Sequence, residues 1–132
     1  MATPALEQKR PLSPHLSVFR PIITMVMSIV HRITGAALYF GTLLLVVWLV
    51  AAASGPEAFE TVHGLYGSIL GRIVLALYTW TLIHHMLGGI RHLIWDFQLA
   101  MDPPNASRLA WATIIGSVTL TILIWIAAYI VM

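Results

Sequence analysis

The chain has 132 residues, 59% hydrophobic and 9% charged, with a mean hydropathy of +0.88. Soluble domains carry roughly 25% charged residues, so twelve charges (seven Lys+Arg, five Asp+Glu) cannot clothe a water-facing surface, and the hydrophobicity excludes a disordered chain. The absence of cysteine excludes disulfides, thiolate metal sites and iron–sulfur ligation, and the net charge of +2 serves to orient the chain in a membrane, not to bind nucleic acid.

The fold class that follows is an all-α membrane protein of three transmembrane helices. Its N-terminal segment, 1–21, precedes the apolar part of the chain. A signal peptide is rejected, because the apolar stretch starts near residue 22 and is too long for an h-region of about 7–15 residues. Met1 to Ser13 lacks the Arg- and Ser-rich amphipathic character of a mitochondrial transit peptide, so a bacterial cytoplasmic (inner) membrane is the expected location.

Residues 22–132 form the expected anchor domain, with spans over about 28–53, 69–95 and 109–131. No Asp, Glu, Lys or Arg occurs between Arg32 and Glu57, between Arg72 and Arg91, or from Leu109 onward. At about 1.5 Å per residue these runs are long enough to cross a hydrocarbon core of about 30 Å. Pro21 to Val30 either extends the first span or lies along the interface. Ser54-Gly55-Pro56-Glu57 ends the first span and starts a short surface helix around Pro56 to His63. Asp102-Pro103-Pro104-Asn105 separates the second span from the third.

Lys9, Arg10, Arg20, Arg32, Arg91 and Arg108 fall on one side of this arrangement and only Arg72 on the other. By the positive-inside tendency the N-terminus is cytoplasmic and the C-terminus periplasmic.

Ionisable groups within a membrane cost on the order of 2.5–3.5 kcal/mol each and mark function. On the first span Ser28, Arg32 and Gly35 share a side, with His31 one step round. A hydroxyl and a guanidinium on one face can both donate to the carbonyl oxygen of a quinone. Equally, Arg32 could snorkel to headgroups and contribute only topology.

On the second span His85, Gly89 and His92 recur at i, i+4 and i+7, and Gly88 lies beside Gly89. An imidazole above a glycine-floored groove suits a planar haem. It also suits close helix packing with His85 hydrogen-bonding across the bundle. His84 points about 100° away and is read as structural. Arg91, His92 and Asp96 are read as an interfacial hydrogen-bonded cluster. Because the first span enters and the second returns, His31 and Arg32 share a leaflet with His85, where cations could neutralise haem propionates.

Arg10-Pro11-Leu12-Ser13-Pro14-His15-Leu16, then Ser28-Ile29-Val30-His31-Arg32-Ile33-Thr34-Gly35, then His85-x3-Gly89-Ile90-Arg91-His92-Leu93-Ile94-Trp95-Asp96 resemble the cytochrome b membrane-anchor family of succinate dehydrogenase, respiratory complex II. The resemblance implies that His85 is an axial iron ligand of haem b and that Ser28 and Arg32 bind ubiquinone. It places His31 and Arg32 near the haem propionates. The second axial ligand is expected from a companion anchor subunit, and the electrons from an iron–sulfur and a flavoprotein subunit. Many relatives have Asn where this chain has Gly88. The rival expectations are a small proton-relay or transport protein and a purely structural anchor without haem.

Overall fold

The computed structural model describes residues 18–131, so the Arg10–Leu16 motif, together with Lys9, lies outside the described residues. Four helices follow in chain order: α1 (Ile23–Ser54), α2 (Pro56–Gly67), α3 (Ile69–Asp96) and α4 (Pro103–Val131). No strand occurs among the described residues. Of the four, α1, α3 and α4 are long and apolar enough to cross a membrane. Their 32, 28 and 29 residues correspond to about 48, 42 and 44 Å. Each exceeds the ~30 Å hydrocarbon core and must tilt or project from it.

Two helix starts differ from the apolar counts. Helix α1 begins at Ile23, so most of the ambiguous stretch from Pro21 to Val30 is helix continuous with the first span. Helix α4 begins at Pro103, not near residue 109, and carries both prolines in its first turn. Proline is tolerated there because the first N–H groups of a helix have no intrahelical acceptor. Asp102 caps this turn: its carboxylate accepts from the Asn105 backbone N–H at 3.3 Å and the Asn105 amide at 2.8 Å.

The turns between helices are tight. Gly55, at φ 118° and ψ 175°, links α1 to α2 in a conformation that favours glycine. Pro56 and Glu57 then occupy the first turn of α2. Ser68 alone joins α2 to α3, and its hydroxyl accepts from the Gly71 N–H at 3.1 Å.

The interior is built mainly from small and polar residues, joined by Met27 and Ile83, and most large apolar side chains face outward. Met27, Thr34 and Ala51 of α1 are buried, as are Thr81, Ile83, His84, Gly88 and Arg91 of α3 and Ala110, Thr113 and Ser117 of α4. Outward-facing Leu, Ile, Val and Phe carry no penalty in lipid, and small residues let helix backbones approach. At Gly41 of α1 the approach is so close that a β-carbon would overlap the Tyr78 ring of α3.

Side-chain hydrogen bonds join the seams. Tyr66 of α2 donates to the Leu44 carbonyl of α1 at 2.7 Å, and Trp125 Nε1 of α4 donates to Thr79 Oγ1 of α3 at 3.4 Å. Helix α3 packs on every other helix, so polar groups placed on it face either α1 or α4. That division determines the site.

Candidate functional site at the seam of helices 1 and 3

His31 and His85 lie 54 positions apart and meet where α1 crosses α3. Their rings stack with centroids 4.0 Å apart and planes 10° from parallel. The main chain ties the pair reciprocally. His31 Nε2 donates to the His85 carbonyl at 3.2 Å, and His85 Nδ1 donates to the His31 carbonyl at 3.1 Å. Each acceptor is a carbonyl, so each of these nitrogens carries the hydrogen.

Thr34 completes the arrangement. Its hydroxyl, in a residue only 3% exposed, lies 2.9 Å from the Val30 carbonyl, 3.0 Å from the His31 carbonyl and 3.2 Å from His85 Nδ1. With its hydrogen given to a carbonyl one turn back, the oxygen can share the Nδ1–H of His85. Two acceptors thus fix the tautomer of His85 and leave a lone pair on Nε2, which makes no hydrogen bond among the described residues. An imidazole oriented this way is the usual form of a metal-ligating histidine.

The glycines around the pair have separate duties. A β-carbon on Gly35 would lie 3.0 Å from His85 Cε1, and one on Gly88 would overlap the His31 ring. These two glycines close the seam. Around Gly89, one turn beyond His85, there is open space. The expected floor of two glycines is therefore corrected: His31 covers Gly88, and Gly89 alone leaves room for a planar ring. These residues fit a haem, with a half-buried imidazole, its Nδ1 held, and an open glycine beside it.

Ser28 is half-buried and Arg32 exposed, one turn apart on α1 and adjoining His31. Neither side chain makes a hydrogen bond to the described residues, so both remain able to donate to something outside them. His92 is exposed, with its ring 5.2 Å from that of His31 and 5.3 Å from that of Trp95.

The expected cluster of Arg91, His92 and Asp96 does not form. Arg91 is 2% exposed, whereas Asp96 is exposed. Five residues on a helix separate them by about 140°. Arg91 instead lies over the Trp95 ring, with Cζ 5.2 Å from its centroid. Its Nε and Nη1 are buried without a hydrogen-bond partner among the described residues.

His84 faces the other seam. It is 2% exposed, and its Nδ1 donates to Ser117 Oγ of α4 at 3.0 Å. The Ser117 hydroxyl gives its own hydrogen to the Ile114 carbonyl at 2.9 Å, so it can only accept from the ring. Thr34 and Ser117 are the positioning residues that sequence reasoning missed. Thr34 stands within the His31–Gly35 motif, so its chemistry was available there; Ser117 carries no comparable signal.

The chain is similar to known proteins over most of its length. The family model described as succinate dehydrogenase/fumarate reductase transmembrane subunit matches residues 7–124. The succinate dehydrogenase cytochrome b556 subunit of Paracoccus denitrificans is 41% identical over 121 residues, covering 92% of this chain and 93% of that protein. The corresponding subunit of Rickettsia conorii is 35% identical over 118 residues, covering 89% and 92%. The mitochondrial cytochrome b560 subunit of Sus scrofa is 37% identical over 110 residues, covering 78% and 62%.

Proposed function

The chain belongs to the succinate dehydrogenase/fumarate reductase transmembrane subunit family, and we propose that it is the haem-binding anchor and quinone-site subunit of a succinate:ubiquinone oxidoreductase. In this reading it lies in a bacterial inner membrane with its N-terminus in the cytoplasm. A flavoprotein and an iron–sulfur partner sit on that side, and a companion anchor subunit lies beside it. The chain has no cysteine and holds no cluster of its own.

The observation that carries the reading is the clamp on His85. Its Nδ1–H is held by the His31 carbonyl and the Thr34 hydroxyl, so Nε2 is left with the lone pair that would hold the iron of haem b. A companion subunit would supply any further ligand that the haem iron needs. When bound, the haem supplies reversible one-electron chemistry next to the quinone site. Gly89 lets the ring plane approach α3. The exposed guanidinium of Arg32 is the cation placed for the propionates, with His31 beside it.

Ubiquinone takes two electrons, drawn from succinate by the partners, and two protons to become ubiquinol. Arg32 and Ser28 orient it by donating to one carbonyl oxygen. As negative charge grows on that oxygen, the guanidinium stabilises it. Arginine does not deprotonate in proteins, so Arg32 positions the quinone and the protons come from other groups.

Two measurements test this. A reduced-minus-oxidised visible spectrum of the purified complex should show a b-type band that His85→Ala abolishes; an unaltered band overturns the ligand assignment. Arg32→Leu should leave succinate oxidation with an artificial acceptor intact while lowering ubiquinone reduction by about 100-fold, the scale for one preorganised donor. If ubiquinone reduction persists, Arg32 is only a topology signal.

A further inference from the structure

A second site lies at the opposite end of the bundle, where α1 runs into α2. A cavity of about 690 Å³ opens there, walled by Trp48 of α1, His63 and Tyr66 of α2, Arg72 and Thr79 of α3 and Trp125 of α4, among others. All four helices of this chain contribute to its lining. The His31–His85 pair has no part in it.

Its polarity is graded. Arg72 is one turn into α3, whereas Thr79 is seven residues further, or about 10 Å deeper along the axis. His63 and Arg72 form the shallow end, while Leu75, Ile124 and Ala128 line apolar wall. The Trp125 indole N–H is already engaged by Thr79 at 3.4 Å, which leaves the deep end without a strong donor. The cavity therefore fits an amphiphile with a charged head and an alkyl body.

Charge selects the head. Arg72 is the single Lys or Arg between Arg32 and Arg91. It forms no salt bridge or side-chain hydrogen bond with the described residues, although Glu57 and Glu60 lie on neighbouring α2. An uncommitted guanidinium beside aromatic side chains at a membrane boundary is complementary to a phosphodiester. We propose that this cavity binds one anionic phospholipid, its phosphate on Arg72 and its acyl chain running along Leu75 and Ile124.

The test uses the intact complex purified in mild detergent, with native mass spectrometry and lipid extraction. Wild type should retain one phospholipid per copy of this chain and gain thermal stability on addition of phosphatidylglycerol. Arg72→Gln should weaken retention by about tenfold, the scale of one charge-assisted hydrogen bond. Ala128→Trp, which fills the cavity and keeps Arg72, should also expel the lipid. Arg108→Gln, at the far end of the bundle, should behave as wild type. Equal retention in all four proteins overturns the proposal. So does recovery of a quinone in place of phospholipid, or a cross-link from residue 64 (Gly64→Cys) to a companion subunit seated in the cavity. None of these outcomes depends on the haem spectrum, so the lipid site and the assignment of His85 stand or fall separately.

Discussion

His84 and His85 are neighbours in sequence and opposites in environment. Helix geometry sets them about 100° apart, which sends His84 to the α3–α4 seam and His85 to the α1–α3 seam. Both use Nδ1 as a donor. His84 is 2% exposed, and its Nε2 is enclosed without a partner among the described residues. His85 is half-buried, and the stacked His31 ring and the Thr34 hydroxyl fix its orientation. A held Nδ1 is common to both; an Nε2 that an outside group can reach is what suits a histidine to ligation.

The largest effect should come from exchanging the two roles. On the proposed reading His85→Ala should abolish haem binding, whereas His84→Ala should keep the b-type band and lower stability instead. Removing the buried His84 ring leaves a cavity and an unmatched Ser117, together worth roughly 2–3 kcal/mol. Paired spectra and thermal unfolding of the two variants check this. Loss of the band in the His84 variant alone would reverse the assignment.

The two glycines give the next contrast. A methyl at Gly88 must displace the His31 ring, which is pinned by its stack and its bond to the His85 carbonyl. Overpacking of this kind costs about 1–3 kcal/mol. Gly89→Ala meets no atom of this chain within 4 Å, so the fold should tolerate it while haem occupancy falls. Haem content per complex, read beside the unfolding midpoint, separates the two. Undiminished haem occupancy in Gly89→Ala would show that Gly89 does not border the haem.

Smaller effects follow from removing the two hydroxyls. Thr34→Val keeps shape but deletes one of the acceptors holding His85, so the haem midpoint potential should shift while haem is retained. Ser117→Ala deprives the buried His84 N–H of its acceptor at a cost near 1 kcal/mol, between the membrane average of ~0.6 and the ~1–3 for an orphaned buried donor. It should leave the potential unmoved. A potential shift in the Ser117 variant would mean that the seams are coupled.

The three spans were legible because membrane helices announce themselves by what they lack, and twelve charges in 132 residues leave long gaps. The separation of His84 from His85 was legible too, since it needs only helical geometry. The start of α4 was not. Charge counting stops at Arg108, but helix formation continues back to Pro103, where the cap at Asp102 supplies acceptors for the first turn. Within the site, helical periodicity could place His31 near His85 in depth but could not show that their rings stack, because stacking depends on how α1 and α3 cross. Ser117 was invisible for a similar reason. The third span carries only a weak stripe of small hydroxyl residues, Thr113, Ser117 and Thr121 at i, i+4 and i+8, which marks an inward face but does not say which residue of α3 it meets.

The smallest effect concerns the cap of α4, the helix that supplies Ser117 to His84 and nothing to His85. The Asn105 side chain, donating to Asp102, holds this fully exposed carboxyl below its ordinary value, with the Asn105 backbone N–H and Arg108 adding to the effect. A carboxylate whose pKa is depressed on folding stabilises the folded state above its unfolded pKa. That contribution is lost as pH falls through the lower, folded value. Asp102→Ala should therefore be slightly less stable than wild type at pH 7, and the difference should narrow below about pH 3, where carboxylates protonate. Ser117→Ala carries no ionisable change, so its deficit should persist across the same range. Thermal unfolding of the three proteins at the two pH values checks the distinction. A difference between wild type and Asp102→Ala that stayed constant with pH would mean that the cap works through geometry alone, with no contribution from its charge.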